Sequence, residues 1–350
     1  MTEIDVVAQA AAILGARAEE NVALAAFTTF RIGGPARLLV HAQSADDFAV
    51  AHDAVRSTGI DVLLVGQGSN LLIADAGWPG LVVVVGGGES DVITINRIND
   101  GELLVRAGAG VKLPVLARRS VAEGATGLEW MVGVPGSVGG AVRMNAGGHG
   151  SDVATNIVSA DVVDLAADTG VVSRLPESLG LSYRHSGLSP TEVVIGATFR
   201  CGVGPTTVGE ETLRAIVRWR RTHQPGGANC GSVFTNPTGD SAGRLIDATG
   251  LKGRRIGGAS VSAKHANFIQ ADPGASAADV WALIVDVRTE VFERFGLVLT
   301  PEVRTAGFTA QLPPLGRRTT APDPAGIAGT PASGTPASGG PPTATTDPNR

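Results

Sequence analysis

Glycine constrains this 350-residue chain more than any other residue type, because its 48 glycines fall in clusters. That is about twice the usual ~7% share. Glycine admits positive φ and lets backbone approach a ligand closely. A loop-rich composition biased toward glycine and alanine explains part of the count, so the clusters carry the information. The first, GQGSN at 66–70, follows an apolar run at 61–65 that reads as a strand buried on both faces. Such a turn can aim backbone N–H groups at a diphosphate. It is not the dinucleotide fingerprint G-x-G-x-x-G, because Leu71 stands where the third glycine belongs and 71–74 reads as more strand rather than helix. Alone, this cluster fits a ligand cradle and a plain turn equally well.

The second cluster, GVPGSVGG at 133–140, is followed by NAGG at 145–148. Four glycines and a proline in eight residues are costly to order, which favours approach to a cofactor over a structural loop. Ser137 and Asn145 would add side-chain hydrogen bonds. This reasoning yields a nucleotide-type cofactor and no more. The third cluster, GSVFTNP at 231–237, puts Ser232 at the opening of a short apolar strand. A nucleophile elbow needs G-x-S-x-G, which is absent, so a serine in a turn is the simpler reading.

Local signals order the rest. Residues 4–15 carry helical apolar spacing, and 1–20 is read as an N-terminal helix. A βαβ-like unit follows: a strand at 37–42, a helix started by the Ser44/Asp47 capping box and stopped by Gly59, then the strand at 61–65. Short strands are expected at 71–74, 81–85, 93–98, 103–107, 157–164 and 193–200, with one helix at 113–123. The third region holds helices at 210–221, 242–249 and 276–295, the last capped by Ser276 and Asp279 and ended by Gly296, then a strand at 297–300. From about Gly307 the composition collapses to Pro, Ala, Gly, Thr and Ser, with TPASG repeated, and 306–350 reads as a disordered tail; removal of everything after Gly307 is expected to leave activity nearly unchanged.

Bulk properties exclude several classes. With 43% hydrophobic and 17% charged residues the body is globular, and a net charge of −5 argues against a nucleic-acid or membrane-surface partner. Cys201 and Cys230 form no CxxC pair, and no set of metal ligands is apparent. No apolar run approaches the ~18 residues of a membrane span, and the start MTEIDVV is acidic. The expected location is the cytoplasm, with a monomer acting on small molecules.

Eight motifs then occur in order: TTFRIGG (28–34), VGQGSN (65–70), GVPGSVGGAVRMNAG (133–147), SYRHS (182–186), GSVFTNP (231–237), SAGRLIDATGLKG (241–253), KHANFI (264–269) and PEV (301–303). Each is weak alone. The ordered set, covering nearly all the chain before the tail, resembles the UDP-N-acetylenolpyruvoylglucosamine reductase family. The resemblance implies an α+β fold: an FAD-binding domain of the vanillyl-alcohol-oxidase (PCMH) type at 21–205, in subdomains of about 21–87 and 88–205, and a C-terminal α+β substrate-binding domain at 206–305. It implies FAD and NADPH as cofactors and UDP-N-acetylglucosamine enolpyruvate as substrate. FAD would be held by Thr29, Arg31, Gly33, Gly66, Gly68, Ser69, Asn70, Gly133, Pro135, Gly136, Ser137, Gly139, Gly140 and Asn145. Arg184, Ser232 and Glu302 would carry the chemistry, and Tyr183, Arg220, His223, Asn236 and Lys264 would hold substrate.

The chemistry accommodates these types. Hydride delivered to the β-carbon of an unsaturated carboxylate leaves charge on the α-carbon and carboxylate, where a fixed guanidinium such as Arg184 acts best. Ser232 would pass a proton to the α-carbon, and Glu302, after an apolar strand, would be half-buried with a raised pKa. Two departures remove positive charge from the expected diphosphate path: Thr235 and His223 stand where many relatives have lysine. The short segment between His185 and Val193 implies a lid-poor subtype. A flavin oxidase acting on an alcohol or lactone, and a non-enzymatic flavin or nucleotide-sugar binder, are the alternatives; neither gives a reason for Arg184, Ser232 and Glu302 to coexist.

Overall fold

The structure is a computed structural model that describes residues 3–309 and 312–315. Its first sheet is mostly parallel. After helix α1 (Glu3–Leu14), strands β1 (Glu19–Ala23) and β2 (Pro35–Ala42) pair antiparallel. Helix α2 (Ala45–Thr58) crosses to β3 (Val62–Val65), then come β4 (Leu71–Ile73) and β5 (Trp78–Val85). The order is β1-β2-β5-β3, with β2 and β3 both parallel to β5. The ends of α2 follow the sequence signals: Ser44 and Asp47 form a reciprocal capping box, and Gly59 closes the helix at φ 67. The 61–65 run is not buried on both faces. Only Val65 is buried, because β3 is the edge strand and its residues line an open cleft.

The second sheet is antiparallel. It takes β6 (Ile93–Asn99), β7 (Glu102–Gly108), β8 (Ile157–Asp164), β9 (Val171–Arg174) and β10 (Glu192–Val203), in the order β9-β8-β10-β7-β6, with a two-residue strand added beside β10. Helices α3 (Leu113–Ala122) and α4 (Val138–Met144) lie against it, and a continuous apolar core joins this sheet to the first. Sequence patterning did not indicate α4, since Gly139 and Gly140 occupy its first turn and glycine costs a helix about 1 kcal/mol relative to alanine. Packing explains Gly139: a Cβ there would lie 2.9 Å from the Ala109 Cβ.

Helix α5 (Thr206–His223) sends Leu213 and Ile216 into the core shared by the two sheets, and the region beyond it has its own core, built on α6 (Ala242–Ala248), β11 (Ala259–Val261), β12 (Ile269–Ala271) and α7 (Ala277–Phe295). Helix α7 bears the predicted Ser276/Asp279 capping box and the Gly296 stop at φ 67. The strand expected at 297–300 is absent. That segment runs beside 233–235 instead, where the Thr235 N–H donates to the Thr300 carbonyl (2.9 Å) and a single bridge joins Phe234 to Pro301. Ser232 and Glu302 therefore sit on two loops held side by side, not at strand ends.

Two links return this region to the first sheet. Strand β13 (Arg304–Ala306) pairs parallel with β4. Next to β4, the Asp75 carboxylate accepts the N–H groups of Ala277 (2.8 Å) and Ala278 (3.0 Å), adding a second anion to the N-terminus of α7. The expected tail begins too early at 306. Ala306 ends β13, Phe308 packs on Trp281 (ring centroids 5.2 Å apart), and Arg288 Nη1 donates to the Pro313 carbonyl (2.7 Å). The remainder of the expected tail, 310–311 and 316–350, lies outside the described residues. Among the described residues, no helix is long and apolar enough to cross a membrane.

Asp75→Ala should destabilise the protein by about 1–2 kcal/mol, the usual cost of removing a helix N-terminal acceptor. Chemical denaturation checks this; an unchanged midpoint would mean that the capping box alone satisfies α7.

Candidate active site

A cleft of about 1970 Å³ runs between the two sheets and the C-terminal region. Its floor is made where the two glycine loops meet. A Cβ on Gly66 would stand 2.4 Å from Ser137 Oγ, and one on Gly136, at φ 133, would stand 2.9 Å from Ser69 Oγ. Ser69 Oγ donates to the Pro135 carbonyl (3.0 Å), tying loop to loop. Gly68 is fixed from behind, with φ 56 and a would-be Cβ only 1.9 Å from the Phe27 carbonyl oxygen. Backbone without side chains thus faces a cavity roomy enough in volume for a dinucleotide, a fit for FAD.

Gly66, Gly68, Ser69, Asn70, Gly133, Pro135, Gly136, Ser137, Gly139 and Gly140 all line the cleft. Thr29, Arg31, Gly33 and Asn145 do not. The first three belong to a loop that braces the first glycine turn from outside: the Thr29 N–H donates to the Gly68 carbonyl (3.2 Å), and Arg31 is exposed at φ 57. Asn145, buried and left-handed at φ 40, is occupied by the protein itself. Its amide donates to the Ser182 carbonyl (2.9 Å) and to Asp152 (3.3 Å), and its Oδ1 accepts the Ala154 N–H (2.9 Å).

The three residues expected to act converge on one wall. Tyr183 and Arg184 are the tip of a tight turn closed by paired Ser182–His185 hydrogen bonds, with Arg184 left-handed at φ 55. Arg184 Nε meets Glu302 Oε1 at 3.0 Å, its Nη2 donates to the Gly147 carbonyl (2.8 Å), and its guanidinium carbon lies 5.0 Å from the Tyr183 ring centroid. The Glu302 N–H donates to the Val233 carbonyl (2.7 Å), which brings Glu302 beside Ser232. Asn70 completes the wall: its Nδ2 donates to the Glu302 carbonyl (3.0 Å), and its own carbonyl accepts the Arg304 N–H (2.9 Å). Burial pushes the Glu302 carboxyl above its ordinary pKa, against the opposing pull of Arg184 and, more weakly, Arg304.

The outer cleft holds cations with protein partners. Arg220 lines it and donates to Gln224 Oε1 (2.8 Å), and burial holds its pKa below the ordinary arginine value. Lys264 lines it with its Nζ on the Arg221 carbonyl. Asn236 lines it too, although its Oδ1 is engaged by the Ala242 N–H (3.0 Å) at the start of α6. His223 does not reach the cleft. It stacks on Trp219 (4.7 Å) with Nδ1 on the Trp219 carbonyl (2.8 Å). Thr235 likewise turns its hydroxyl onto the Thr300 carbonyl (3.2 Å).

Comparisons with known proteins agree with this arrangement. Residues 36–175 match the FAD binding domain family, and residues 223–306 match the C-terminal domain of UDP-N-acetylenolpyruvoylglucosamine reductase. The reductase of that name from Synechococcus sp. (strain WH7803) is 42% identical over 294 residues, spanning 83% of this chain and 93% of the relative. The chain belongs to the UDP-N-acetylenolpyruvoylglucosamine reductase family. The relative from Rubrobacter xylanophilus is 40% identical over 283 residues, covering 80% of this chain and 92% of its own length. The crystal structure of the reductase from Thermus caldophilus matches with a TM-score of 0.70 at 33% identity, over 83% of this chain and 99% of that one.

This reductase-family cleft also contains residues that motif reading passed over: Arg143, His149, Arg244, Lys252 and Arg304. Arg244 is paired with Asp240, and Lys252 Nζ with Asp247 Oδ2 (2.7 Å). Arg143 donates to the Ser189 carbonyl (2.6 Å), and burial, then the like charge of Arg304, depresses its pKa. Arg244, Lys252 and Arg304 lay inside or beside quoted motifs, so that signal was available. Arg143 lies inside GVPGSVGGAVRMNAG and His149 two residues beyond it, so the same signal covered both.

Gly68→Ala should abolish FAD retention, since the added methyl meets the Phe27 carbonyl and leaves the backbone strained. The flavin absorbance per protein of the purified variant reads this out. Full flavin content would mean that the turn can shift without harm.

Proposed function

We propose that the chain uses FAD to carry hydride from NADPH to the enolpyruvyl group of UDP-N-acetylglucosamine enolpyruvate, giving UDP-N-acetylmuramate for peptidoglycan synthesis. The single observation that carries this reading is the meeting of Arg184, Glu302 and the Ser232 loop at the cleft whose floor is the two glycine turns. The bound flavin supplies the hydride chemistry itself. The glycine turns at 66–70 and 133–140 hold its diphosphate by backbone, as no lysine is available within either loop. The enzyme works in the cytoplasm as a monomer on small molecules, without nucleic acid or membrane.

Arg184 receives the substrate carboxylate. Its fork is held in place by the Gly147 carbonyl, so it needs little reorganisation as negative charge builds on that carboxylate. Glu302 Oε1 meets Arg184 Nε at 3.0 Å. When substrate takes Arg184, Glu302 loses its main stabilising cation, and the burial that already raises its pKa then favours the protonated acid. A neutral Glu302 donates a hydrogen bond to the developing aci-carboxylate. Ser232 delivers the proton to the α-carbon from the adjacent loop. Tyr183 packs over the carboxylate end, and Arg220, Asn236 and Lys264, with Arg244 and Lys252, meet the diphosphate and sugar by giving up their present partners.

This reading favours reductase over flavin oxidase because an oxidase acting on an alcohol has no use for a carboxylate fork beside a half-buried acid. Ser232→Ala should leave reduction of the flavin by NADPH nearly intact and slow its reoxidation by the enolpyruvyl sugar about 10²–10⁴-fold, the range of a lost general acid. Stopped-flow measurement of the two half-reactions decides; an equal fall in both would rule out the proton-donor role. Glu302 gives a signed pH effect. Its acid form is active and its pKa is raised, so the reoxidation rate should hold at low pH and fall as pH rises through that pKa. Glu302→Gln, which keeps a donor and cannot ionise, should remove that alkaline limb. Retention of the limb in Glu302→Gln would assign it to another group.

A further inference from the structure

One buried side chain in the C-terminal region has no part in the reading above, yet it grips the peptide beside Ser232. Asn267, in the KHANFI motif, is 4% exposed. Its Nδ2 donates to the Phe234 carbonyl (2.8 Å), and its Oδ1 accepts the Phe234 N–H (3.0 Å). Its backbone carbonyl accepts the Val233 N–H (2.9 Å). A single residue thus supplies the three hydrogen bonds that a neighbouring strand would otherwise make to residues 233–234. The opposite edge of that stretch is held by Glu302, whose N–H takes the Val233 carbonyl, and by Thr300 on Thr235. Asn267 in turn is steadied by its own N–H on His265 Nδ1 (3.3 Å).

The geometry points to Asn267 as a positioning residue that fixes where Ser232 stands relative to Glu302. This rests on Ser232 being the proton donor. The loop at 231–237 contains no regular strand, and Gly231, with φ 81, allows it to swivel. Without the Asn267 carboxamide, Phe234 loses the partners of its N–H and its carbonyl, and only the Asn267 backbone carbonyl on Val233 and the 300–302 segment remain to orient Ser232. A misplacement of about 1 Å can cost on the order of 10²-fold in rate. Asparagine suits this task because its amide presents a donor and an acceptor in one plane, matching a peptide edge.

The test is made on the FAD-loaded full chain, with Ser232→Ala alongside. Asn267→Ala should slow reoxidation of the flavin by the enolpyruvyl sugar about 10²-fold while leaving flavin content and reduction by NADPH unchanged. Asn267→Asp separates positioning from general loosening. Its ionised form keeps the acceptor for the Phe234 N–H but sets an oxygen against the Phe234 carbonyl, and its protonated form restores the donor. Reoxidation by Asn267→Asp should therefore recover toward wild type as pH falls, and Asn267→Ala should not. The titratable groups around this position are His265 on the same loop, Lys252 and His223, which act on His265, and Glu302 across Val233. All are shared with wild type, whose profile is the baseline. Wild-type reoxidation in both variants, or equal loss in both half-reactions, would overturn the positioning role. If Ser232→Ala itself reoxidised normally, the proton-donor reading would fail instead.

Discussion

The site depends on the parallel pairing of β4 with β13. Without it, Glu302 and Arg304 would have no fixed relation to the glycine turn at 66–70, because they lie more than two hundred residues away in sequence. Asn70 strengthens the join at the point of use, since its amide and carbonyl engage the backbone of Glu302 and Arg304 directly. A residue expected to touch cofactor therefore also registers the acid against the cofactor loop.

The glycines serve two kinds of close approach. At Gly66 and Gly136 one loop approaches the other, with serine hydroxyls occupying the space a methyl would need. At Gly68 and Gly139 the backbone approaches its own support, the Phe27 carbonyl and the Ala109 methyl. A smooth floor between two sheets follows from both, and neither turn contains a lysine.

Much of the fold was legible because it is written locally. Ser44 with Asp47 and Ser276 with Asp279 mark helix starts within four residues, and Gly59 and Gly296 mark the ends. What failed was tertiary. Apolar residues 62–64 look like an interior strand, yet they edge a sheet beside the cleft. Residues 297–300 look like a strand but find a loop as neighbour. Asn145 and Asn236 carry the polarity of ligand contacts and use it on the Ala154 and Ala242 N–H groups. His223, expected to hold substrate, stacks instead on Trp219 one turn earlier in α5. Arg184, Ser232 and Glu302 were identified from the ordered motifs, and nothing in their local spacing would have assembled them.

Asn70, β4 and Asp75 lie within one unbroken stretch of six residues, which carries the hydrogen bond to the Glu302 carbonyl, the pairing with β13 and the second anion at α7. A further tie, Arg184 on Glu302, crosses from the turn at 182–185. Held from both sides, the Glu302 backbone and carboxylate keep a fixed register against the glycine turn.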